Sequence, residues 1–393
     1  MKRVELIIMV GLWTTVIWIG MDMYLPAIPI MDEAFSTTEQ MVNATLTTFA
    51  VGLPIGALVG GSISDKLGRR LPTLIGGALF CGSLVVCACA QAVEVIVVFR
   101  LAAGLGGGVV CATTTAILKD VLDGRDLESA ITVTQSLAIV GPLVAPFFGS
   151  LIVTFFSWRG IFIVLAVLGA ACLLWYLRLG ETLPQENRAR TSLIGALGLI
   201  FQVGRNVSFT ALLVSLCMPP FLFGVFMASC SYVYMDMFAL TSIQYSGFYA
   251  VVSVVSICGP FAYTLLHRRI GNKRAVVLFS AMLLVCGIWT LLLGRLHPVV
   301  YTVGLLPFVI AEGMARPCAF LVLLRAESER AGSASALVHF GIGFAAALGT
   351  PVAALPWPDY IVAMGVPSIA ASIVGIVLFF VVVRMLRSSI LDD

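Results

Sequence analysis

Long apolar runs recur along the whole chain and constrain its fold more than any other feature. A helix that crosses a membrane needs roughly 20 apolar residues. Only 11% of the 393 residues are charged, whereas soluble domains carry about 25%, so the chain needs lipid as its solvent. We therefore predict an all-α membrane protein with twelve transmembrane helices. The predicted spans are residues 5–29, 40–62, 72–91, 95–118, 129–154, 160–179, 208–234, 244–266, 275–294, 299–323, 332–355 and 361–383.

Lysine and arginine in the short loops predict the orientation of these spans, because cytoplasmic loops carry an excess of both. An even number of spans puts both termini on one side of the membrane. With a cytoplasmic N-terminus, nearly all loop lysines and arginines fall on the cytoplasmic side, and only Arg159 and Arg295 fall on the other. We expect a multi-pass protein of the cell membrane, such as a bacterial inner membrane, with both termini in the cytoplasm.

A long polar connection after the sixth predicted span divides the chain into two halves. We predict an N-terminal six-helix bundle at residues 1–179, a cytoplasmic linker at 180–206 and a C-terminal six-helix bundle at 207–393. Each half has a basic turn after its second span, "SDKLGRRLP" and "HRRIGNKRA", and Leu67-Gly68 aligns with Ile270-Gly271. Such internal repetition is typical of transporters built from duplicated bundles, in which one bundle rocks against the other.

The string "GGSISDKLGRR" is the most specific local signal. Gly61 is expected to allow a close helix approach and Gly68 a tight turn, and Asp65 lies at a helix end. The string resembles the G-x-x-x-D-[RK]-x-G-[RK]-[RK] motif between the second and third spans of the major facilitator superfamily. That resemblance implies a conformational latch on the cytoplasmic side, formed by Gly61, Asp65, Lys66, Gly68, Arg69 and Arg70. The alternative is that the basic residues only enforce the orientation of the spans.

Further strings narrow the resemblance: "DMYLPAIP" in the first span, "APFFGS" in the fifth, and "SWRGIF" and "ETLP" around the sixth. The chain is similar over nearly its whole length to drug–proton antiporters of the bicyclomycin- and chloramphenicol-resistance type. This implies the twelve-span fold of two pseudo-symmetric six-helix bundles. It also implies an antiporter motif in the fifth span, made of Gly141, Pro142, Ala145, Pro146 and Gly149, with Ser150 in place of a final glycine. An ordinary kinked packing helix is the alternative.

An acidic residue in the first span is the main functional candidate. Thr15, Trp18 and Asp22 share one helical stripe, and a carboxylate inside a membrane is costly enough to indicate function. If the stripe faces the cavity between the bundles, Asp22 can exchange protons and Trp18 can bind a flat or cationic ligand. The alternative is that Asp22 ends the helix at the interface, since prolines follow soon after.

The family resemblance adds Arg100 in the fourth span to Asp22 as a proton-coupling residue. Ala103 stands where the family has glutamine, three residues after this arginine. Thr15, Trp18 and Asp22 are our candidates for substrate binding in the first half. In the seventh span, Phe223 and Met227 are candidates for an adaptable ligand wall, although such residues also occur on ordinary lipid-facing helices.

A second charged site lies in the tenth span, where Glu312 precedes Arg316 by four residues. This spacing favours an ion pair on one helix. A structural role for the pair and a functional role for Glu312, as a second protonation or cation site, are both open.

We predict a proton-coupled secondary transporter that exports small amphipathic drugs by alternating access. A carrier for one metabolite, such as a sugar or an amino acid, is the first alternative, because a fold does not fix a substrate; a non-transporting receptor or scaffold is the second. We expect no enzyme activity, no cofactor and no metal site, since no phosphate-binding loop and no metal-ligand spacing is visible. The expected partners are a small-molecule substrate, protons and the lipid bilayer, without nucleic acid, and we expect a monomer.

Overall fold

Helices form all the regular structure in the described part of this computed structural model, which covers residues 3–188, 198, 201–326 and 331–386. The chain divides into two compact units, Met1–Leu193 and Ile194–Asp393. The helices of the first unit are α1 (Arg3–Asp22), α2 (Ile28–Phe35), α3 (Glu39–Leu67), α4 (Arg70–Cys89), α5 (Val93–Val121), α6 (Gly124–Phe155) and α7 (Trp158–Tyr176).

The first predicted span is interrupted rather than continuous. Helix α1 ends at Asp22, a 3₁₀ turn covers Leu25–Ala27, and α2 begins at Ile28. Pro26 and Pro29 explain the interruption, because proline has no backbone N–H to continue the hydrogen-bond ladder of α1. The break therefore follows directly after Asp22.

Glycines bring α3 and α5 into backbone contact. A β-carbon on Gly52 would lie 2.6 Å from the carbonyl oxygen of Leu101, and one on Gly60 would lie 2.6 Å from the α-carbon of Val109. Gly104 and Gly108 of α5 face α3 in return. Side chains at these positions would force the two helices apart.

The expectation that Gly61 provides the close approach is wrong by one residue. A β-carbon on Gly61 would meet only an ordinary contact, 4.0 Å from the β-carbon of Ala112. Residues one apart on a helix face different directions, so Gly60 points at α5 and Gly61 does not. The close-packed stripe of α3 consists of Gly52, Gly56 and Gly60, which recur at intervals of four residues.

The helices of the second unit are α8 (Val207–Leu216), α9 (Met218–Tyr232), α10 (Ser242–Leu293), α11 (Pro298–Ala326), α12 (Ala331–Ala353) and α13 (Tyr360–Leu386). The seventh predicted span is divided between α8 and α9, and a π-helical turn, Val233–Met237, extends α9. Pro219 and Pro220 stand at the start of α9, where the missing proline N–H costs no helical hydrogen bond.

The two basic turns have the same backbone conformation. Gly68 has φ 96° and ψ 165°, and Gly271, which interrupts α10, has φ 73° and ψ 167°. Only glycine adopts this region without strain. The alignment of Leu67-Gly68 with Ile270-Gly271 is therefore matched by the backbone.

Eleven helical segments within the described residues are long and apolar enough to cross a membrane. They correspond to all the predicted spans but the fifth. The fifth coincides with α6, whose apolar segment within the described residues is Val144–Phe155, shorter than a span. Many side chains of α6 before Val144 lie outside the described part of the structure.

Candidate functional site

The break in the first span places a carboxyl group inside the protein. Asp22 is the last residue of α1, as the alternative interpretation of a helix end expects. Its side chain is nevertheless buried, with 4% of the residue exposed. The carboxyl group of Asp22 is therefore enclosed by protein at the end of α1.

Arg100 binds the backbone at the same break. Its side chain is fully buried, and Nη1 donates a hydrogen bond to the carbonyl oxygen of Gly20 at 3.0 Å. Gly20 lies in the last turn of α1, where carbonyl groups lack helical partners. A positive charge is favourable at this end of a helix dipole. Arg100 therefore stabilises the end of α1 two residues before Asp22.

Aromatic rings surround the rest of the Arg100 guanidinium group. Its central carbon lies 4.2 Å from the ring centroid of Phe49 and 4.9 Å from that of Tyr24. Nε also donates to the carbonyl oxygen of Thr45 at 3.4 Å. The charge is thus held by carbonyl dipoles and ring faces, and Ala103, where the family has glutamine, is buried without adding a polar partner.

A buried hydrogen-bond pair completes this cluster. The hydroxyl groups of Tyr24 and Thr45 lie 2.8 Å apart, and Thr45 donates its single hydrogen to the carbonyl oxygen of Val42 at 2.6 Å. Tyr24 is therefore the donor to Thr45. Sequence reasoning missed Tyr24, Thr45 and Phe49, although "DMYLP" places Tyr24 two residues after the acid.

The small residues of the predicted antiporter motif pack against α1 and its break. A β-carbon on Gly141 would lie 3.1 Å from Cγ2 of Thr15, and one on Gly149 would overlap the carbonyl oxygen of Met23. Ala145, between them, is fully buried. Gly149 therefore allows α6 to lie directly against the interrupted backbone next to Asp22.

The two prolines of this motif are described to different extents. Pro146 is buried, and the side chain of Pro142 lies outside the described part of the structure.

Thr15 donates its hydroxyl hydrogen to the carbonyl oxygen of Gly11 at 2.8 Å and is half-buried. Its methyl group faces α6.

The predicted latch residues form a network around Arg69. The Arg69 side chain binds Asp65, donates from Nε to Asp120 at 2.8 Å and donates from Nη1 to Ser64 at 2.8 Å. Burial alone would lower the pKa of Arg69, but the hydrogen bonds to Asp120 and Asp65 outweigh it and raise this pKa above its usual range. Sequence reasoning missed Asp120, which ends the string "AILKD".

The "ETLP" string docks onto the same turn. The Glu181 carboxylate accepts hydrogen bonds from the backbone N–H groups of Arg69 at 2.7 Å and Arg70 at 3.2 Å, and from those of Thr182 and Leu183 at 3.1 Å each. Arg70 is the first residue of α4, so Glu181 caps a helix N-terminus. Burial alone would raise the pKa of Glu181, but these N–H donors lower it below its usual value.

Among the remaining latch residues, Lys66 and Arg70 lie at the surface of this turn and Gly68 is buried in it. Lys66 is exposed, and the exposed Arg70 side chain donates from Nη2 to the carbonyl oxygen of Leu177 at 3.4 Å. Gly68 has no space for a side chain, because a β-carbon there would overlap the Glu181 carboxylate. Two strings identified separately in the sequence, "DKLGRR" and "ETLP", therefore form one structure.

The predicted ligand-contacting residues lie in different units. Trp18 of the first unit is half-buried. In the second unit Phe223 is half-buried, with its ring centroid 6.2 Å from that of Phe226, and Met227 is buried, with 1% exposed. Their assignment to substrate binding stays a prediction.

Glu312 and Arg316 form an ion pair on α11, with Arg316 Nε 2.7 Å from Glu312 Oε1. The two partners differ in exposure: the side chain of Glu312 is 6% exposed and that of Arg316 is 46% exposed. Gly313, between them, lets α11 touch α10, since a β-carbon on Gly259 would lie 2.6 Å from the Gly313 α-carbon. Glu312 is therefore buried in the packing of the helices, whereas the Arg316 side chain extends out of it.

Comparisons with known proteins agree on one family. The model of the Major Facilitator Superfamily matches residues 10–350. An uncharacterised MFS-type transporter of Bacillus subtilis, YdgK, is 29% identical over 347 residues, covering 86% of this chain and 85% of the relative. A bicyclomycin resistance protein homologue of Haemophilus influenzae is 27% identical over 354 residues, covering 86% of this chain and 85% of the relative.

Solved structures agree on the fold. The crystal structure of the peptide transporter POT in complex with sulfate matches with a TM-score of 0.79 at 13% identity, covering 100% of this chain and 96% of that one. This match and the family model confirm the predicted fold class, an all-α membrane protein with the transporter fold.

Proposed function

Because the chain belongs to the Major Facilitator Superfamily, we propose that it is a proton-coupled exporter of small amphipathic drugs. The relatives with resistance names, such as the bicyclomycin resistance protein homologue, support export of toxic compounds. They also agree with the resemblance of "DMYLPAIP", "APFFGS" and "ETLP" to drug–proton antiporters. A carrier for one metabolite stays the alternative, because the fold is shared by transporters of many substrates.

The observation that carries the proposal is the buried carboxyl group of Asp22 at the break of the first span. A buried carboxyl group in a membrane is costly and indicates a transport pathway or a proton relay. Arg100 and Gly149 fix the backbone on either side of it. In this position, a change in the surroundings of Asp22 between two conformations would load or release a proton.

In this proposal Asp22 binds a proton on the outer side and releases it on the inner side, and the substrate moves in the opposite direction by alternating access. Exchange of a neutral drug for one proton would draw about 2.3 kcal/mol per 100 mV of membrane potential. Arg100 acts as a positioning residue that holds the end of α1. Glu312 is a second proton-coupling candidate, and Thr15, Trp18, Phe223 and Met227 are candidates for contacts with the substrate.

We further propose that the turn containing Asp65, Lys66, Arg69 and Arg70 is the conformational latch that the family resemblance implies. Its network within the first unit supports this role, since Arg69 binds two carboxylates from different helices. The predicted bundles 1–179 and 207–393, the cytoplasmic termini, the inner-membrane location and the monomeric state belong to the same proposal.

Substrate-induced proton movement in inside-out membrane vesicles tests the function. We expect chloramphenicol and ethidium, which are chemically unrelated, each to release protons from energised vesicles that contain the native protein. Asp22→Asn should reduce this release to the level of empty vesicles, because the amide cannot carry the proton. Glu94→Gln is the control, since Glu94 is an exposed acid in the first turn of α5.

Three outcomes separate the alternatives. Release that responds to a single sugar or amino acid and to neither drug would support a metabolite carrier. Release that is unchanged in Asp22→Asn would remove Asp22 from the coupling mechanism. No flux with any compound would favour a receptor or scaffold.

A further inference from the structure

Arg316 occupies an unusual depth for an exposed charge. Its partner Glu312 lies 14 residues after Pro298 and 11 residues before Leu323, the ends of the apolar span in α11. At about 1.5 Å per residue, Glu312 is about 21 Å and about 17 Å from those ends. The α-carbon of Arg316 is 18 residues after Pro298 and 7 before Leu323, about 27 Å and about 11 Å from the same ends. The ion pair therefore lies inside the span, with Glu312 near its middle.

The side chain of Arg316 does not reach toward the nearer end of the span. Arginines in membrane helices usually extend to the closest interface, where water solvates the charge. Arg316 instead turns back by one helical turn, and its Nε binds Glu312. The guanidinium group is thus held away from the nearer end of the span, on the side of Glu312, yet 46% of the Arg316 side chain is exposed.

Exposure at this depth means either lipid or water. Contact with lipid would be costly for a guanidinium group, and charged residues in spans therefore face the bundle interior or a water-filled cavity. The buried Glu312 anchors Arg316 from the protein side. We infer that the outer edge of the Arg316 guanidinium faces an aqueous transport pathway.

The ion pair leaves one edge of this guanidinium available. Glu312 uses the Nε side, and within the described residues nothing accepts a hydrogen bond from Nη1 or Nη2. A guanidinium group has two edges that each match a carboxylate, so it can bind a second carboxylate while it holds the first. Glu312 thereby fixes the direction in which the available edge points.

We propose that Arg316 binds the carboxylate group of transported amphipathic compounds, with Glu312 as its positioning residue. This assignment names a substrate class for the proposed exporter and rests on that function. The depth favours a transported compound over the phosphate of a lipid headgroup, because headgroups lie about 15 Å from the bilayer centre. Compounds with a free carboxylate should bind more tightly than their esters.

A matched pair of dyes tests the proposal on the purified full-length protein in lipid nanodiscs. Rhodamine 110 carries a free benzoate group, and rhodamine 123 is its methyl ester. The measurement is the affinity of each dye by fluorescence anisotropy. A charge-assisted bidentate contact should favour the acid by about tenfold or more.

Variants separate recognition from structure. Arg316→Gln should remove the preference for the acid, so that the ratio of the two affinities falls to about one. Arg316→Lys should retain part of the preference, because a lysine keeps the charge without the planar fork, and it carries the test if the glutamine variant does not fold. Glu312→Gln keeps an oxygen acceptor for Nε but removes a nearby negative charge, so binding of the acid should become several-fold tighter. A purely structural ion pair predicts no change in the ratio.

Arg295→Gln is the control. Arg295 is also half-exposed and bound to a carboxylate, with Nη2 2.6 Å from Asp359, but it lies in a loop outside the spans. Its substitution should leave the ratio unchanged.

Other results of these binding measurements would contradict the role of Arg316. Equal affinity of the native protein for acid and ester, or an unchanged ratio in Arg316→Gln, overturns the inference and leaves the exporter function in place. Binding of neither dye contradicts both. Loss of the preference on adding phosphatidylglycerol to phosphatidylcholine nanodiscs would show that a lipid phosphate occupies Arg316 instead.

Discussion

At the scale of single residues, Arg100 stabilises the end of α1 where the first span is interrupted. The family resemblance groups Arg100 with Asp22 as proton-coupling residues. The described contacts of Arg100 are instead the carbonyl oxygens of Gly20 and Thr45 and the rings of Tyr24 and Phe49. Its charge stabilises the C-terminal end of α1, which makes its role positional.

This arrangement predicts the effect of Arg100→Leu. The substitution leaves the Gly20 carbonyl group buried without its donor, so we expect the free energy of unfolding to fall by about 1–3 kcal/mol. The measurement is thermal unfolding of the purified protein in detergent. A variant as stable as the native protein would contradict the proposed stabilisation of α1.

Arg159 offers a matched control for that experiment. It also donates to a carbonyl oxygen, that of Ala90 at 2.9 Å, and stacks over an aromatic ring, Trp158, at 4.2 Å. Arg159 is only half-buried. Arg159→Leu should therefore cost less than about 1 kcal/mol.

At the scale of helices, glycine decides which elements touch. The crossing of α3 and α5 depends on Gly52, Gly56 and Gly60 from one helix and on Gly104 and Gly108 from the other. Close backbone contact is a main source of stability between helices in lipid, where the hydrophobic effect contributes little. The same device joins α10 and α11 through Gly259 and Gly313.

The crossing predicts that Gly108→Val is strongly destabilising. A β-carbon at Gly108 would overlap the carbonyl oxygen of Leu53 and lie 2.6 Å from the backbone nitrogen of Ala57. Backbone atoms cannot move aside cheaply, so we expect a loss of about 3 kcal/mol or more. The yield of monodisperse protein in detergent and its unfolding temperature measure the effect.

Gly82→Val in α4 is the control, because nothing lies within 4 Å of a β-carbon at Gly82. Both substitutions place the same residue inside a transmembrane helix. Equal effects of the two would mean that helix propensity, and not the crossing, sets the cost.

At the scale of the whole molecule, the contacts of residues 181–183 extend the first unit beyond residue 179. Glu181 binds the backbone of Arg69 and Arg70, and Thr182 donates to Asp120 at 3.4 Å. These residues belong to the predicted linker, 180–206, but they act as part of the first bundle. The boundary of a functional fragment should therefore follow them.

We predict that a fragment of residues 1–188 is more stable in detergent than a fragment of residues 1–179. The longer fragment retains the cap on α4, which is worth about 0.5–2 kcal/mol. Thermal unfolding of the two fragments makes the comparison. The longer fragment with Glu181→Gln should lose much of the difference, whereas equal stability of the two original fragments would contradict the role of the cap.

Much of the fold was predictable from the sequence for one physical reason. In lipid every backbone polar group needs a partner within the chain, so long apolar runs become helices. The spacing of Glu312 and Arg316, the stripe Gly141–Ala145–Gly149 and the repeated turn at Gly68 and Gly271 are likewise local patterns. Local geometry fixes them, and the structure contains each of them.

Only the tertiary structure decided which distant groups meet. Arg69 is 51 residues from Asp120 and 112 from Glu181, and Arg100 is 80 residues from Gly20. Such pairs depend on how helices cross and rotate, and a shift of one residue changes the direction of a side chain by about 100°. The displaced assignment of Gly61 and the exposed edge of Arg316 have this same cause: the sequence defines a helix and its residues, and packing defines what each residue faces.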